Sequence, residues 1–141
     1  MQAPVSLILD SSVTLAWILS EETTPAAQRV FQEVAASHAW VPWLWRLEIA
    51  DVLEMGVRRG RHSAKFRDDT LEDLAQLPIR TDPETERHAW DAALRLASRH
   101  KLTVYDAAYL ELALRRGLPL ATLDKELRTA AAKQSVKLFG A

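Results

Sequence analysis

Cysteine is absent from the 141-residue sequence, so neither a disulfide framework nor a zinc–thiolate centre is available to it. That absence fits a reducing cytoplasm, where we expect the protein to work. No apolar run approaches membrane-spanning length, and the opening "MQAPVSLILD" lacks the basic start and small-residue cleavage site of a signal peptide. Any excess of one charge over the other is also lacking, the net being −1. Wholesale electrostatic attraction to nucleic acid is thereby excluded, and any such binding must use a local patch. Repeats, low-complexity segments and obvious linkers are missing. What remains is an ordinary soluble composition, 48% hydrophobic and 26% charged, long enough to bury a core. We expect one domain spanning residues 1–141.

Short apolar runs alternate with longer helical stretches. Strands are expected at Val5–Leu9, Ala39–Val41, Ile79–Thr81, Leu118–Thr122 and Val136–Leu138, each bounded by turn or polar residues. Helices are expected at Ser12–Leu19, Pro25–Ala36, Leu44–Arg59, Ser63–Leu77, Pro83–His100, Tyr105–Arg116 and Asp124–Lys133. Pro25 and Pro83 suit first-turn positions, and Gly60 and Gly117 are stop signals. The alternation predicts an α/β domain with a mostly parallel sheet. Sites in such sheets form outside the carboxyl ends of the strands. Asp10 lies just past the first strand and Asp124 just past "LATL", so the two carboxylates can meet at one sheet edge.

Asp10, followed by Ser11 and Ser12, reads equally as the N-cap of the next helix, since Asp and Ser oxygens accept orphan backbone N–H groups. Glu48 is more telling. In "WLWRLEIADVLEMG" the helical projection puts Trp45, Ile49, Val52, Leu53 and Gly56 on one apolar face, and Glu48 borders it beside Leu44 and Met55. Asp51 follows at i+3, a neighbour of like charge; the bland reading of Glu48 is a boundary acid reaching water. Asp106 shares a stripe with Tyr109, Leu110 and Ala113. A first-turn acid is favoured by the helix dipole, yet an unpaired charge on a buried stripe is costly. No lysine, arginine or histidine recurs beside these acids, and gathered carboxylates repel unless a cation compensates. All-oxygen ligands favour Mg²⁺ or Mn²⁺, which leaves room for phosphate oxygens.

"LILDSSVTLAWILSEE", "VPWLWRLEIADVL" and "LTVYDAAYLELALRRGLPLATLDKEL" occur in the order and spacing of PIN-domain ribonucleases, and the chain most resembles the VapC-type toxins of bacterial toxin–antitoxin pairs. The resemblance covers about residues 5 to 138. It implies a three-layer α/β/α fold and an acidic pocket holding Mg²⁺ or Mn²⁺. The family's four acids fall on Asp10, Glu48, Asp106 and Asp124. Its small hydroxyl residues fall on Ser11, Ser12 and Thr122, which would orient carboxylates or waters. Many relatives carry Asn where this chain has Asp51; that acid either joins the pocket rim or faces water. The implied reaction is metal-dependent endonucleolytic hydrolysis of RNA. The implied partners are an antitoxin, whose arginine can enter the acidic pocket, and a second copy of the chain in a homodimer.

Other features bear on rival readings. His38, His62, His88 and His100 share no motif, which speaks against a metal-free histidine ribonuclease. A phosphoacceptor receiver domain needs paired acids after the first strand and a lysine after the last, and both are lacking. An inactive PIN-like domain that only binds a protein is countered by the presence of all four acids. "RRGRHSAKFR" gathers Arg58, Arg59, Arg61, Lys65 and Arg67, either an RNA-phosphate contact or a solvated helix end. Arg115 and Arg116 are expected to serve a helix C-terminus. Among five tryptophans, Trp40, Trp43 and Trp45 cluster near the Glu48 helix and Trp17 lies on the first. Each suits a core, and any exposed member suits an interface.

Overall fold

A computed structural model describes residues 5–19 and 23–139. Four short strands, β1 (Leu7–Leu9), β2 (Ala39–Val41), β3 (Ile79–Thr81) and β4 (Leu120–Ala121), form one sheet in the order β3-β2-β1-β4. Every pairing is parallel, with Leu7 opposite Ala39, Ile8 opposite Leu120 and Ala39 opposite Ile79. The helices are α1 (Ser11–Ile18), α2 (Pro25–Ala36), α3 (Leu44–Arg58), α4 (Ala64–Ala75), α5 (Thr85–His88), α6 (Ala92–His100), α7 (Val104–Arg116) and α8 (Lys125–Lys133). Helices α1 to α4 pack among themselves, as do α5 to α8. Between the two layers, Leu7, Ile8 and Leu9 are inaccessible although successive strand residues face opposite ways. A strand covered on both faces must be apolar throughout, which is why β1 reads as a continuous run rather than an alternation. The expected α/β/α architecture is therefore present.

Several boundaries differ from expectation for local reasons. Val5 lies outside β1 because its N–H turns to the Glu33 carboxylate, 2.6 Å away. β4 is shorter than Leu118–Thr122, since the Leu118 N–H returns to the Ala113 carbonyl and the Thr122 hydroxyl joins a polar cluster. Val136–Leu138 contributes only an isolated parallel bridge between Leu138 and Leu120. The single helix expected at Pro83–His100 is two, α5 and α6. The Asp82 carboxylate accepts from the Glu84 N–H and the Thr85 hydroxyl, which delays the helix start. The chain then breaks again before Ala92, leaving Trp90 93% exposed. On α3, Trp45, Ile49, Leu53 and Gly56 are buried as expected, but Val52 is 36% exposed and faces a groove. Gly56 is pinned by its neighbour: a Cβ there would collide with the His62 ring, which is hydrogen-bonded at 2.8 Å to the Leu53 carbonyl.

Arg115 and Arg116 do more than complement a helix end. The Asp82 side chain, just past β3, has 0% exposure. Arg115 donates both Nη atoms to it at 3.0 and 2.8 Å, and Arg116 adds contacts of 3.2 and 2.9 Å. Arg115 also grips Glu111, and the Arg116 guanidinium stacks 3.6 Å from the centroid of the Trp40 ring. Burial alone would raise the Asp82 pKa, but the two arginines outweigh it and hold the carboxyl far below its ordinary value of 3.8. Its stabilising contribution is thus complete above that value and is lost as the pH falls below it. We expect Asp82→Asn to cost about 3 kcal/mol, the scale of leaving one side of a buried ion pair uncompensated. Urea denaturation at neutral pH checks this; an unchanged midpoint would mean that Glu111 and Glu84 satisfy the arginines alone.

Candidate active site

Parallel strands bring their carboxyl ends to one edge of the sheet, so Asp10 after β1 and Thr122 after β4 are neighbours despite their separation in sequence. Asp10 occupies the N-cap position of α1 yet makes no side-chain capping bond. Instead its Oδ2 accepts from the Ser12 hydroxyl at 2.6 Å and the Thr122 hydroxyl at 2.8 Å. Each hydroxyl in turn accepts a backbone N–H, Ser12 from Leu123 and Thr122 from Asp124. Those backbone donors occupy the hydroxyl lone pairs and aim both protons at Asp10. From the N-cap position the Asp10 side chain therefore joins a cross-strand cluster.

Glu48 on α3 is half-buried, and its Oε1 accepts from the Tyr109 hydroxyl on α7 at 2.5 Å. Tyr109 itself is fully buried, and the Ser11 hydroxyl bears on both groups. Asp106 sits one turn before Tyr109 on α7, where the N-cap Thr103 accepts its backbone N–H at 3.0 Å. Asp124 caps α8 through Oδ1, accepting from the Leu127 N–H at 2.8 Å. Its carboxylate thus has a structural task as well as a place at this edge.

The electrostatics tie the acids together. Burial raises the Asp10 pKa, opposed by the Ser12 and Thr122 hydroxyls and reinforced by Asp124. Burial also raises Glu48, the Tyr109 bond opposes it, and the charges of Asp10 and Asp106 add to it. Asp106 is pushed up to about 6 by burial and by the charges of Asp10, Asp124 and Glu126. None of these dominant influences comes from a lysine, arginine or histidine. Among the described residues, no three acidic or histidine side chains already form a ligand cage. A small hard cation that binds one or two carboxylates directly and keeps its waters needs no such cage. The donor set is all oxygen, and no basic side chain is among the main influences on the burdened carboxylates, so these residues fit such an ion.

A family model described as the PIN domain matches residues 7–133. The chain belongs to the PIN-domain family. This PIN domain is 31% identical over 123 residues to ribonuclease VapC3 of Pyrobaculum aerophilum, covering 87% of this chain and 92% of that protein. It is 30% identical over 129 residues to ribonuclease VapC3 of Mycobacterium tuberculosis, covering 90% and 88%. Among solved structures, PAE2754 from Pyrobaculum aerophilum superposes with a TM-score of 0.61 at 26% identity, covering 90% of this chain and 80% of that one. FitAcB from Neisseria gonorrhoeae gives 0.63 at 16% identity, covering 94% and 96%, a likeness of fold.

The other expected residues of this PIN domain have their own surroundings. Asp51 is exposed and lines a groove of about 600 Å³ with Val52, Met55, Arg59 and Arg61. The basic stretch is half neutralised: Arg58 pairs with Glu54, Lys65 with Asp69, and Arg67 with Glu54 and Asp68. Trp45 is buried and donates to Thr14 at 3.0 Å, so it offers no surface, whereas Trp43 is 47% exposed. Tyr109 was expected only as part of an apolar stripe. Its bond to Glu48 spans α3 and α7 and leaves no trace in local spacing.

Because Asp106 titrates near 6 when folded against an ordinary value of 3.8, the folded chain holds the extra proton between those values. Metal-free stability should therefore fall as the pH rises from about 4 to about 6, and Asp106→Asn should flatten that decline. Thermal melts in EDTA across this range check it; equal slopes for both proteins would contradict it. Tyr109→Phe keeps the buried ring and removes only the donor. We expect a stability loss of about 1 kcal/mol and a further rise of the Glu48 pKa, read by urea denaturation and carboxyl NMR titration.

Proposed function

We propose that this PIN domain is a Mg²⁺- or Mn²⁺-dependent endoribonuclease, and that it is the toxin of a two-component toxin–antitoxin pair. The observation that carries the reading is the cluster of Asp10, Glu48 and Asp106, each with a raised pKa, at the carboxyl edge of the sheet with no basic side chain dominating it. The relatives named ribonuclease VapC3 support the substrate class. Asp10, Glu48, Asp106 and Asp124 would hold the ion, directly or through its waters. When bound, it supplies the charge that lets these acids ionise together, polarises a scissile phosphate and lowers the pKa of a nearby water.

The chain's own contribution is fixed placement. Ser12 and Thr122 hold Asp10 Oδ2, and Tyr109 holds Glu48 Oε1, so neither carboxylate needs to reorganise during reaction. Arg59 and Arg61, left without an ion pair among the described residues, are proposed RNA contacts from the basic stretch.

A nuclease working in the cytoplasm must be restrained. An arginine of the antitoxin would pair bidentately with the acids in place of the metal. Its apolar residues would pack near Trp43 and in the groove lined by Trp17, Phe31 and Phe66. We also propose that residues 1–141 form one domain and that the protein works as a homodimer. No helix among the described residues is long and apolar enough to cross a membrane.

Purified protein freed of partner should cut RNA with Mg²⁺ or Mn²⁺ and stop on adding EDTA. Asp10→Asn should lower the rate at least ~10²-fold, the scale of losing a preorganised electrostatic contact. Undiminished cleavage by that variant would sink the assignment. Expressed alone, the wild type should arrest growth and the variant should not.

A further inference from the structure

An acidic pocket repels a polyanion, so RNA that reaches it must be drawn by cations beside the acids rather than among them. In the basic stretch at residues 58–67, Glu54, Asp68 and Asp69 already neutralise Arg58, Lys65 and Arg67, which leaves Arg59 and Arg61. A second set of cations is placed differently. A cleft of about 390 Å³ between the end of α6 and the exposed side of α8 is lined by Lys101, Lys125 and Lys133 together with His100, Glu126 and Thr129. None of the three lysines forms a salt bridge with a described residue.

From this geometry we infer that the Lys101–Lys125–Lys133 cleft is the track that holds the sugar-phosphate backbone of the RNA as it enters the acidic site. The inference rests on the ribonuclease reading above. Lys125, Thr129 and Lys133 stand at i, i+4 and i+8 on α8, one exposed stripe about 12 Å long at 1.5 Å per residue. That length suits several phosphates of an extended strand rather than one free anion; the Thr129 hydroxyl between them is turned back to the Lys125 carbonyl at 3.0 Å, which leaves the two lysines as the stripe's donors. Lys101 faces the stripe from the C-cap of α6, with φ +56°, a left-handed position where glycine or asparagine is the cheaper choice.

The cleft adjoins the acids. Lys125 directly follows Asp124, and Lys101 lies two positions before Thr103, the N-cap of the helix carrying Asp106. Glu126, on the cleft wall, is near enough for its charge to raise Asp106. With three lysines against one glutamate, and His100 engaged with Gln134 at 2.9 Å, the cleft is net positive where the neighbouring pocket is net negative. A phosphodiester chain laid along the lysines would present its next phosphate to Asp10 and Asp106.

The test uses a fluorescein-labelled single-stranded 12-nucleotide RNA, with Asp10→Asn present in every protein to block cleavage. Anisotropy titrations over a range of NaCl compare that protein with one also carrying Lys101→Gln, Lys125→Gln and Lys133→Gln. We expect the triple change to weaken binding about tenfold or more near 0.1 M salt. The log–log salt slope should shrink by about 2, since each single-strand phosphate contact contributes about 0.7. The Mn²⁺-induced rise in melting temperature, measured without Asp10→Asn, should be unchanged. Lys125→Gln with Lys133→Gln, both on the exposed side of α8, should give most of the effect without burdening the fold. Unchanged affinity and slope in the triple variant would overturn the track, even if wild-type protein cuts RNA. Lost affinity together with a wild type that never cuts RNA would keep the track and discard the nuclease.

Discussion

Like charge crowded at a sheet edge is the constraint on which the rest of this structure turns. Three parallel strand pairings put the residues after β1 and β4 side by side, and two helices add Glu48 and Asp106. Each of Asp10, Glu48 and Asp106 would be more stable protonated than it is in water, and each makes its neighbours' ionisation harder. A fold has no stability reason to assemble such a cluster. Its neutral partners, the hydroxyls of Ser12, Thr122 and Tyr109, fix oxygen positions without supplying positive charge. The cost to the free chain becomes a binding energy for any cation the oxygens accept.

Asp82 shows what the same residue type looks like when it serves the fold. It too lies just past a strand and is buried, yet two guanidinium groups meet it and its pKa moves in the opposite direction. The Asp82 clasp also anchors the far end of α7, the helix that brings Asp106 and Tyr109 to the acids. One end of α7 is thus held by paired charge while the other carries unpaired charge.

Much of the fold was legible because its signals are local. The apolar run of β1, Pro25 opening α2 and Gly117 closing α7 all act within one turn, and β2, β3 and α2 fell at their expected limits. Glu48 and Asp106 stood out because a carboxylate on or beside an apolar stripe violates a local rule. What stayed hidden depends on contacts across the chain. Nothing near Asp82 announces Arg115, and nothing near Tyr109 announces Glu48. The same holds for Asp10, whose cap reading was locally sound until Thr122 arrived from the far strand. Val136–Leu138 has strand composition but finds only one bridge to Leu120.

The central claim is that these carboxylates jointly hold a divalent cation. Paramagnetic broadening by Mn²⁺ of the amide signals of ¹⁵N-labelled protein tests it most directly, since the effect falls off steeply with distance and needs no substrate. At substoichiometric Mn²⁺ the amides of Asp10, Ser11, Ser12, Glu48, Asp106 and Asp124 should broaden first, while those around Asp82 and Arg115 stay sharp. Broadening centred on the surface acids of α4, or spread evenly over the chain, would contradict it.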